Sequence, residues 1–365
     1  MSESSNERET VRRHAYHSLR VIEIVQETPD TRTFVMDVPE SIGELYRYEP
    51  GQFCTVRAHL DGIDVQRCYS MSSAPATDDR LAVTVKRVPG GLMSNHLHDH
   101  VVAGDELELM PPAGVFCERP GDGPIVAFAG GSGVTPVFSI VKQALHGGTR
   151  PVRLFYANRD LESVIFDAAL ADLEASHPDR LTVHRHLDSE AGYVQAADVS
   201  AFLTSSFGND PTDAHVYICG PTPFMDLVEA GALAAGIPAE NIAIERFANA
   251  AVLGDGAVAT APPPAENATD AGTATALTIT IKRKKHKLEH VAGDTVLDAA
   301  RRATLNPPYS CEQGNCATCM ALVTEGTVTM RANNALTPDE VAEGWILTCQ
   351  ALPTSPTLTV VYDDL

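Results

Sequence analysis

The sequence predicts three folded parts: an antiparallel β-barrel at residues 14–118, an α/β domain with a parallel sheet at residues 121–249, and a smaller α+β domain at residues 276–365. Short strands with alternating apolar residues come first, which is typical of an antiparallel barrel. A continuous apolar strand then leads into a glycine-rich loop and a helix, as in parallel α/β sheets. Four cysteines with a defined spacing follow in the last part. A chain of 365 residues can form two or three hydrophobic cores.

Composition excludes several classes of partner. The chain has 48 acidic and 27 basic residues and a formal net charge of −21, so nucleic acid and anionic membranes are poor partners. No apolar run approaches the roughly 18 residues of a membrane span. The amino-terminal segment 1–18 is polar and lacks the apolar core of a secretion signal. We therefore expect a cytoplasmic monomer that binds neither nucleic acid nor membranes.

The barrel is predicted from short strands separated by turn residues such as Pro50-Gly51 and Asp61-Gly62. Alternation is visible in Leu81, Val83 and Val85. One helix interrupts the strands at about 92–98. The predicted strands are 19–28, 32–38, 52–60, 65–73, 80–88 and 105–112.

Two short segments of the barrel carry candidate chemistry. Arg67 and Tyr69 lie on one face of a strand, where a ring and a guanidinium can hold a flat, charged cofactor. Such residues also occur at ordinary surface positions. Gly90 and Gly91 open the helix, whose free N–H groups suit a phosphate, although a simple hairpin turn is the alternative. A metal site is a further alternative for three nearby histidines, His96, His98 and His100.

Taken together, the segments RCYSMSS, KRVPGGLMSNHL and PPAGVF resemble the FAD-binding barrel of the ferredoxin–NADP reductase superfamily. This resemblance implies that Arg67 binds phosphate and that Tyr69 packs on the isoalloxazine ring. It also implies that Ser70 is a catalytic residue facing the reactive edge of that ring. The expected pyrophosphate contacts come from Gly91, Met93 and Ser94.

The second part begins with a buried strand, Ile125–Ala129, that leads into the loop 130–136 and a helix ended by Gly147-Gly148. Strand, glycine loop and helix form a layout that cradles phosphate. The glycines do not match G-x-G-x-x-G, so this fingerprint alone is moderate evidence. A further strand ends at Cys219, which is either a ligand-facing thiol at the carboxyl edge or a small residue packed at a strand end.

The combination of GGSGVTP with CGPTPFM resembles the NAD(P)H-binding domain of the same superfamily. This resemblance places Cys219, as a catalytic residue, and Gly220 beside the nicotinamide, and Phe247 over the flavin as a displaceable aromatic ring. The expected pyrophosphate contacts are Gly131, Ser132, Gly133, Thr135 and Pro136. Arg159 is a candidate partner for the extra phosphate of NADPH, but Asp160 and Glu162 stand beside it, which favours NADH.

The four cysteines of the last part are spaced C-x4-C-x2-C with a distant fourth, which is the plant-type pattern for a 2Fe–2S cluster. A zinc site would more often show paired C-x2-C knuckles, and buried free cysteines would not follow this spacing. The whole segment from residue 277 resembles a plant-type ferredoxin, which implies a β-grasp fold. Within this segment, residues 321–330 are predicted to form a strand pair. The expected ligands are Cys311, Cys316, Cys319 and Cys349.

Two other segments are distinctive. Residues 250–275 are rich in alanine and proline and are predicted to form a semi-flexible tether. The basic run 282–287 is compatible with an exposed hairpin, a docking site for an acidic partner, or a nuclear or nucleic-acid signal.

The domain order resembles that of reductase components of multicomponent oxygenases, among them the 3-ketosteroid 9α-hydroxylase and phenylacetyl-CoA epoxidase types. It implies electron transfer from NADH or NADPH through FAD and the 2Fe–2S cluster to an oxygenase partner, of Rieske type in steroid or aromatic degradation. Alternatives are a reductase for a haem monooxygenase, a free-standing flavin or ferric reductase, and an iron–sulfur redox sensor.

Overall fold

Residues 14–207, 211–247 and 276–362 are described by the computed structural model. The first part is the predicted antiparallel barrel, with strand order β4-β3-β6-β1-β2-β5. A bridge between Met71 and Val83 joins the two outer strands. Its core contains large side chains such as Phe34 and Leu109. The elements are β1 (His17–Thr28), β2 (Thr31–Asp37), β3 (Phe53–Leu60), β4 (Ile63–Ser70), β5 (Leu81–Lys86), α1 (Leu92–His100) and β6 (Glu106–Leu109).

The second part is a parallel sheet with the order β11-β10-β7-β8-β9. Its chain order reverses between β7 and β10, and ligands bind at the carboxyl ends of strands beside such a reversal. The strands are β7 (Ile125–Gly130), β8 (Val152–Asn158), β9 (Leu181–Leu187), β10 (His215–Cys219) and β11 (Ile242–Glu245). The helices are α2 (Val134–Gly147), α3 (Asp167–Ser176), α4 (Asp188–Ala191), α5 (Ala196–Phe207) and α6 (Thr222–Ala234).

The third part is a mixed sheet of order β13-β12-β18-β14-β16, in which β12 and β18 are parallel. Helix α7 packs its apolar face against this sheet. The strands are β12 (Ala276–Ile281), β13 (Lys284–Glu289), β14 (Met320–Glu325), β15 (Val328–Met330), β16 (Trp345–Leu347), β17 (Ala351–Pro353) and β18 (Thr357–Val361). The helices are α7 (Val296–Arg302) and α8 (Pro338–Ala342).

The expected architecture of barrel, parallel sheet and α+β domain is confirmed, but one strand pairing is wrong. The sequence suggested that residues 321–330 form a strand pair. Instead, β14 pairs with β16 and β18, and β15 pairs with β17. Both edges of β14 are therefore occupied by strands that come later in the chain.

The barrel and the parallel sheet are joined by one buried and one partly buried polar contact. The Ser139 hydroxyl donates to the carbonyl of Ser73 at 2.6 Å, and Lys142 lies 2.6 Å from the Asp78 carboxylate. These contacts fix the nucleotide domain on the barrel. The predicted tether, residues 250–275, lies outside the described residues. Within the described ranges, no helix is long and apolar enough to cross a membrane.

Candidate electron-transfer site

The end of β4 carries the predicted flavin residues. Tyr69 lies opposite Cys54 of β3, on the barrel side of the strand, and packs against the barrel core. Burial raises the pKa of Tyr69, so its phenol is neutral at physiological pH. Arg67 is half-buried on the same face, and Ser70 is buried. A half-buried ring and a guanidinium on one face suit a flat cofactor with a phosphate tail.

The start of α1 forms a small cradle of backbone and hydroxyl groups that suits a phosphate. Gly91 caps the helix in an extended conformation, and a Cβ added there would lie 2.8 Å from the Ser94 hydroxyl oxygen. That hydroxyl accepts a hydrogen bond from the backbone N–H of Val88 at 3.1 Å. The Met93 side chain is in the barrel core, so only its backbone faces the cradle. The first N–H groups of a helix have no partner within the helix, which suits an anion.

The nearby histidines are accounted for by other contacts. The His98 ring is buried, and its Nε2 lies 2.9 Å from the carbonyl oxygen of Val85. The His96 and His100 rings pack against each other with centroids 5.5 Å apart. Among the described residues, no group of three or more His, Cys, Asp or Glu side chains converges as a single-metal site would require. The structure gives the metal alternative for these histidines no support.

The glycine loop after β7 is pressed against the turn after β10. A Cβ on Gly133 would lie 2.1 Å from the carbonyl oxygen of Cys219, so only glycine fits there. Gly131 adopts a φ of +53°, which glycine tolerates best. Gly131 and Ser132 are partly exposed, whereas two other predicted contacts, Thr135 and Pro136, are buried at the helix start. The loop therefore presents its first residues to a ligand.

A cleft of about 420 Å³ lies beside this loop. It is lined by Gly131, by Asn158 and Arg159 at the end of β8, and by Tyr193 and Pro221. The Asn158 side chain is buried, and both its polar atoms are without a hydrogen-bond partner among the described residues. An elongated ligand with polar groups fits a cleft of this size and lining.

Cys219 closes β10 and is fully buried. Burial, and next the nearby Glu245 carboxyl, raise the pKa of Cys219, so the thiol is neutral. A Cβ on the following Gly220 would lie 3.0 Å from the Cα of Gly130, so the two loops are in direct contact. Phe247 is 38 % exposed at the end of the described segment. The Cys219 thiol is thus enclosed at the end of β10, whereas the Phe247 ring is accessible.

Glu245 was missed by the sequence analysis. It ends β11 beside Cys219, is 9 % exposed, and accepts a hydrogen bond of 3.3 Å from the Ser70 hydroxyl. Burial raises the pKa of Glu245 to about 8. The available signal was an acidic residue directly after the apolar positions of a buried strand, at the carboxyl edge of a parallel sheet.

The four predicted cluster cysteines lie in two close pairs. Contact with Cys316 raises the pKa of Cys311, and contact with Cys349 raises that of Cys319. For Cys316, contact with Cys311 lowers the pKa, but contact with Cys68 and burial outweigh this and raise it to about 12. Two pairs of thiols fit two irons with two protein ligands each. Within the part of the chain that the structure describes, no three cysteines are arranged as a single-metal site would require.

Backbone geometry shapes this cluster loop, residues 309–319, around the sulfurs. The N–H groups of Gln313 and Asn315 each point at Cys311 Sγ from 3.4 Å. Gly314 has a φ of +78°, and a Cβ there would lie 2.8 Å from the carbonyl oxygen of Ala332. Cys349 is brought in by the turn after β16, where the Thr348 hydroxyl donates to the carbonyl of Cys319 at 2.8 Å. Donors aimed at sulfur are the expected surroundings of an iron–sulfur cluster.

The cluster loop packs directly against β4, which carries the predicted flavin residues and is called the flavin strand below. Ser310 Oγ is 3.1 Å from Cys68 Sγ of β4, and the Gln313 amide donates to the carbonyl of Arg246 at 2.8 Å. The Thr318 hydroxyl contacts Met110 Sδ at 3.9 Å. The cysteine site, the barrel strand and the end of β11 therefore meet at one place. A fold and site of this kind define an NAD(P)H-dependent flavin and iron–sulfur oxidoreductase.

Comparison with known proteins agrees with this class. Three family models match the chain: an oxidoreductase FAD-binding domain at residues 18–117, an oxidoreductase NAD-binding domain at 128–230 and a 2Fe-2S iron-sulfur cluster binding domain at 279–354. The ferredoxin reductase component of 3-ketosteroid-9-alpha-monooxygenase from Mycolicibacterium smegmatis is 41 % identical over 95 % of this chain and 97 % of its own length. A component of the 1,2-phenylacetyl-CoA epoxidase from Escherichia coli is 34 % identical over 95 % of this chain and 98 % of its own length.

Among solved structures, phthalate dioxygenase reductase has the same fold, with a TM-score of 0.56 and 24 % identity over 95 % of this chain and 98 % of that one. The chain belongs to the ferredoxin–NADP reductase superfamily, in the family of oxygenase-system reductases that carry a carboxyl-terminal 2Fe–2S domain. It is an electron-transfer oxidoreductase with FAD-, NAD- and cluster-binding domains.

Proposed function

We propose that this protein takes electrons from NADH and passes them through FAD and the 2Fe–2S cluster to the oxygenase component of a hydroxylating system. The contact of the cluster loop with the flavin strand, 3.1 Å between Ser310 and Cys68, carries this proposal. When bound, FAD accepts both electrons of a hydride, and the cluster passes them on singly. The chain's own residues then determine distance, orientation and polarity.

Each predicted flavin residue has a distinct task. The Arg67 guanidinium neutralises the pyrophosphate, and the backbone at Gly91 and Met93 donates to it, with Ser94 supporting the turn. The Tyr69 ring covers the isoalloxazine. Ser70, held by Glu245, orients the reactive edge.

On the nucleotide side, the phosphates lie against Gly131, Ser132 and Gly133, which Thr135 and Pro136 hold in place. The small Gly220 allows the nicotinamide to approach the flavin, while the neutral Cys219 thiol supports it from behind. The Phe247 ring covers the flavin until the nicotinamide displaces it.

NADH is the proposed donor because Arg159, a cation in the lining of the cleft, is already paired. The Arg159 guanidinium lies 2.7 Å from the Asp160 carboxylate. Asp160 is itself fixed, because it accepts a hydrogen bond of 3.0 Å from the backbone N–H of Ser163. An extra phosphate on the ribose would have to displace this carboxylate, which favours the nucleotide without it.

The oxygenase partner is inferred from the relatives, which are components of monooxygenase and epoxidase systems. We infer an oxygenase of Rieske type in steroid or aromatic degradation as the acceptor, with a haem monooxygenase as the alternative. All eight cysteines lie in the described residues and none of them forms a disulfide, which suits a reducing cytoplasm. Because one chain holds the complete path, we also propose that it acts as a monomer.

Two acceptors test the internal path. NADH with ferricyanide reports flavin reduction, and NADH with cytochrome c reports the one-electron path through the cluster. We expect Cys311→Ser, and cleavage near residue 265, to abolish most cytochrome c reduction while ferricyanide reduction persists. The matched control is Cys117→Ala, a cysteine outside the cluster loop. Unchanged cytochrome c reduction in the cleaved protein would show that the electrons do not pass through the cluster.

Reconstitution tests the acceptor. The protein is mixed with NADH, 3-ketosteroid substrate and a purified 3-ketosteroid 9α-hydroxylase oxygenase component, and hydroxylated product is measured. We expect product formation that is lost with Cys311→Ser. Reduction of the protein without product, together with product from a haem monooxygenase, would favour the alternative acceptor.

A further inference from the structure

The residue between Arg67 and Tyr69 faces away from the flavin. Thr55 and Cys68 lie opposite each other on β3 and β4, on the face that the third domain covers. Cys68 Sγ is 3.4 Å from the Thr55 hydroxyl oxygen and 3.1 Å from Ser310 Oγ. One strand therefore presents its two faces to the two redox sites.

Ser310 directly precedes the cluster ligand Cys311 and is buried at this contact. The Cys68 thiol is also in contact with the ligand Cys316. From the ring of Tyr69, the route to a cluster ligand thus consists of one peptide unit and one thiol contact. The other hydrogen bonds that the cluster loop makes with the first two parts of the chain run from Gln313 to the carbonyl of Arg246 and from Thr318 to Met110, and so do not reach β4.

Other contacts between the third domain and the barrel part lie outside the cluster loop. Lys282 Nζ, in the hairpin between β12 and β13, is 4.0 Å from the Asp64 carboxylate at the start of β4. The His14 ring, which is buried, has its Nε2 3.1 Å from the Glu340 carboxylate of α8. These two contacts hold the domain on the barrel, and neither of them involves Ser310 or Cys68.

We propose that Cys68 is a positioning residue for electron transfer, because its thiol sets the separation between the flavin strand and the cluster ligand loop. This inference rests on the proposed function. When bound, FAD would supply the two electrons of one hydride singly, and the cluster would accept one of them and pass it to the acceptor protein before it accepts the second. Cys68 itself is neither oxidised nor reduced.

The test is anaerobic rapid mixing of the holoprotein with NADH, with flavin absorbance and the EPR signal of the reduced cluster followed separately. In Cys68→Ala we expect flavin reduction at the wild-type rate and cluster reduction slowed about tenfold, because small misplacements at a reacting pair have large effects on rate. Ser310→Ala removes the partner and should also slow cluster reduction. Cys68→Ser keeps a polar contact and should restore most of the rate.

The midpoint potential of the cluster, measured by EPR-monitored titration, should be unchanged in all three variants. Lys282→Ala is the matched control, because it removes a different contact between the third domain and the barrel. This variant should reduce the cluster at the wild-type rate. A wild-type rate in Cys68→Ala, an equal loss in Lys282→Ala, or a potential shift large enough to explain the loss would each overturn the proposal. If wild-type flavin is reduced but its cluster is not, the proposed function is wrong and the role of Cys68 falls with it.

Discussion

The Ser70 hydroxyl donates a hydrogen bond of 3.3 Å to the Glu245 carboxyl, across 175 residues of sequence. This bond links the flavin strand of the barrel with the last strand of the nucleotide sheet. Because it lies between the two domains, it places a titratable group where flavin and nicotinamide are proposed to meet. Burial of the Glu245 carboxyl raises its pKa to about 8, so the charge of this group changes near neutral pH.

Glu245 should make stability fall as pH rises. Its pKa is raised from 4.5 to about 8 by burial. The stabilisation from the protonated carboxyl is fully present below pH 4.5 and is lost as pH rises through 8. Relative to Glu245→Gln, the wild-type unfolding free energy should fall by about 1 kcal/mol per pH unit within this window. Thermal unfolding of the wild-type and Glu245→Gln holoproteins at several pH values measures this fall. If the unfolding free energies of the two proteins changed equally with pH, the prediction would be contradicted.

Gly133→Ala should block the nucleotide site. A Cβ would lie 2.1 Å from the carbonyl oxygen of Cys219, so the loop must shift. We expect a loss of about 1–3 kcal/mol of stability and a marked fall in flavin reduction by NADH, while dithionite still reduces the flavin. Gly43→Ala, where a Cβ would meet nothing within 4 Å, is the control. An unchanged KM for NADH in Gly133→Ala would contradict this interpretation.

Much of the site could be predicted because its signals are local. Cys311, Cys316 and Cys319 lie in one short segment whose spacing indicates a cluster. The glycines after β7 lie in another short segment, whose pattern indicates a phosphate-binding loop. Residues whose role depends on a distant partner were less visible. Glu245 acquires its partner Ser70 only once the barrel and the sheet are packed together.

The relative placement of the domains could not be predicted from the sequence, because it also depends on contacts between residues that are far apart in the chain. Cys68 was given no role within the segment RCYSMSS, because its contact with Ser310 spans 242 residues. The pairing of β15 with β17 was also missed, since strand neighbours in a mixed sheet depend on which edges later strands occupy. The basic run proved to be a hairpin turn and the edge strand β13, where lysines discourage pairing with other chains.

Asp160→Ala should relax the proposed preference for NADH. The Asp160 carboxylate lies 2.7 Å from the Arg159 guanidinium at the mouth of the nucleotide cleft. Without it, the cation is available to a ribose phosphate, and we expect kcat/KM for NADPH to rise about tenfold, as one charge-assisted hydrogen bond would give. Glu190→Ala removes an exposed acid from α4 and controls for net charge. An equal rise in both variants would indicate a general electrostatic effect.

Gly314→Ala should remove the cluster without unfolding the domain. Its φ of +78° and the 2.8 Å approach of the Ala332 carbonyl oxygen to a Cβ both disfavour alanine. Gly293→Ala is the matched control, because its φ is +89° but a Cβ there would meet nothing within 4 Å. Both variants should lose about 1 kcal/mol from backbone strain. Only Gly314→Ala should lose iron, visible absorption and cytochrome c reduction, because its clash lies inside the loop that wraps the sulfurs. Equal iron content in the two variants would show that the loop tolerates a side chain at this position.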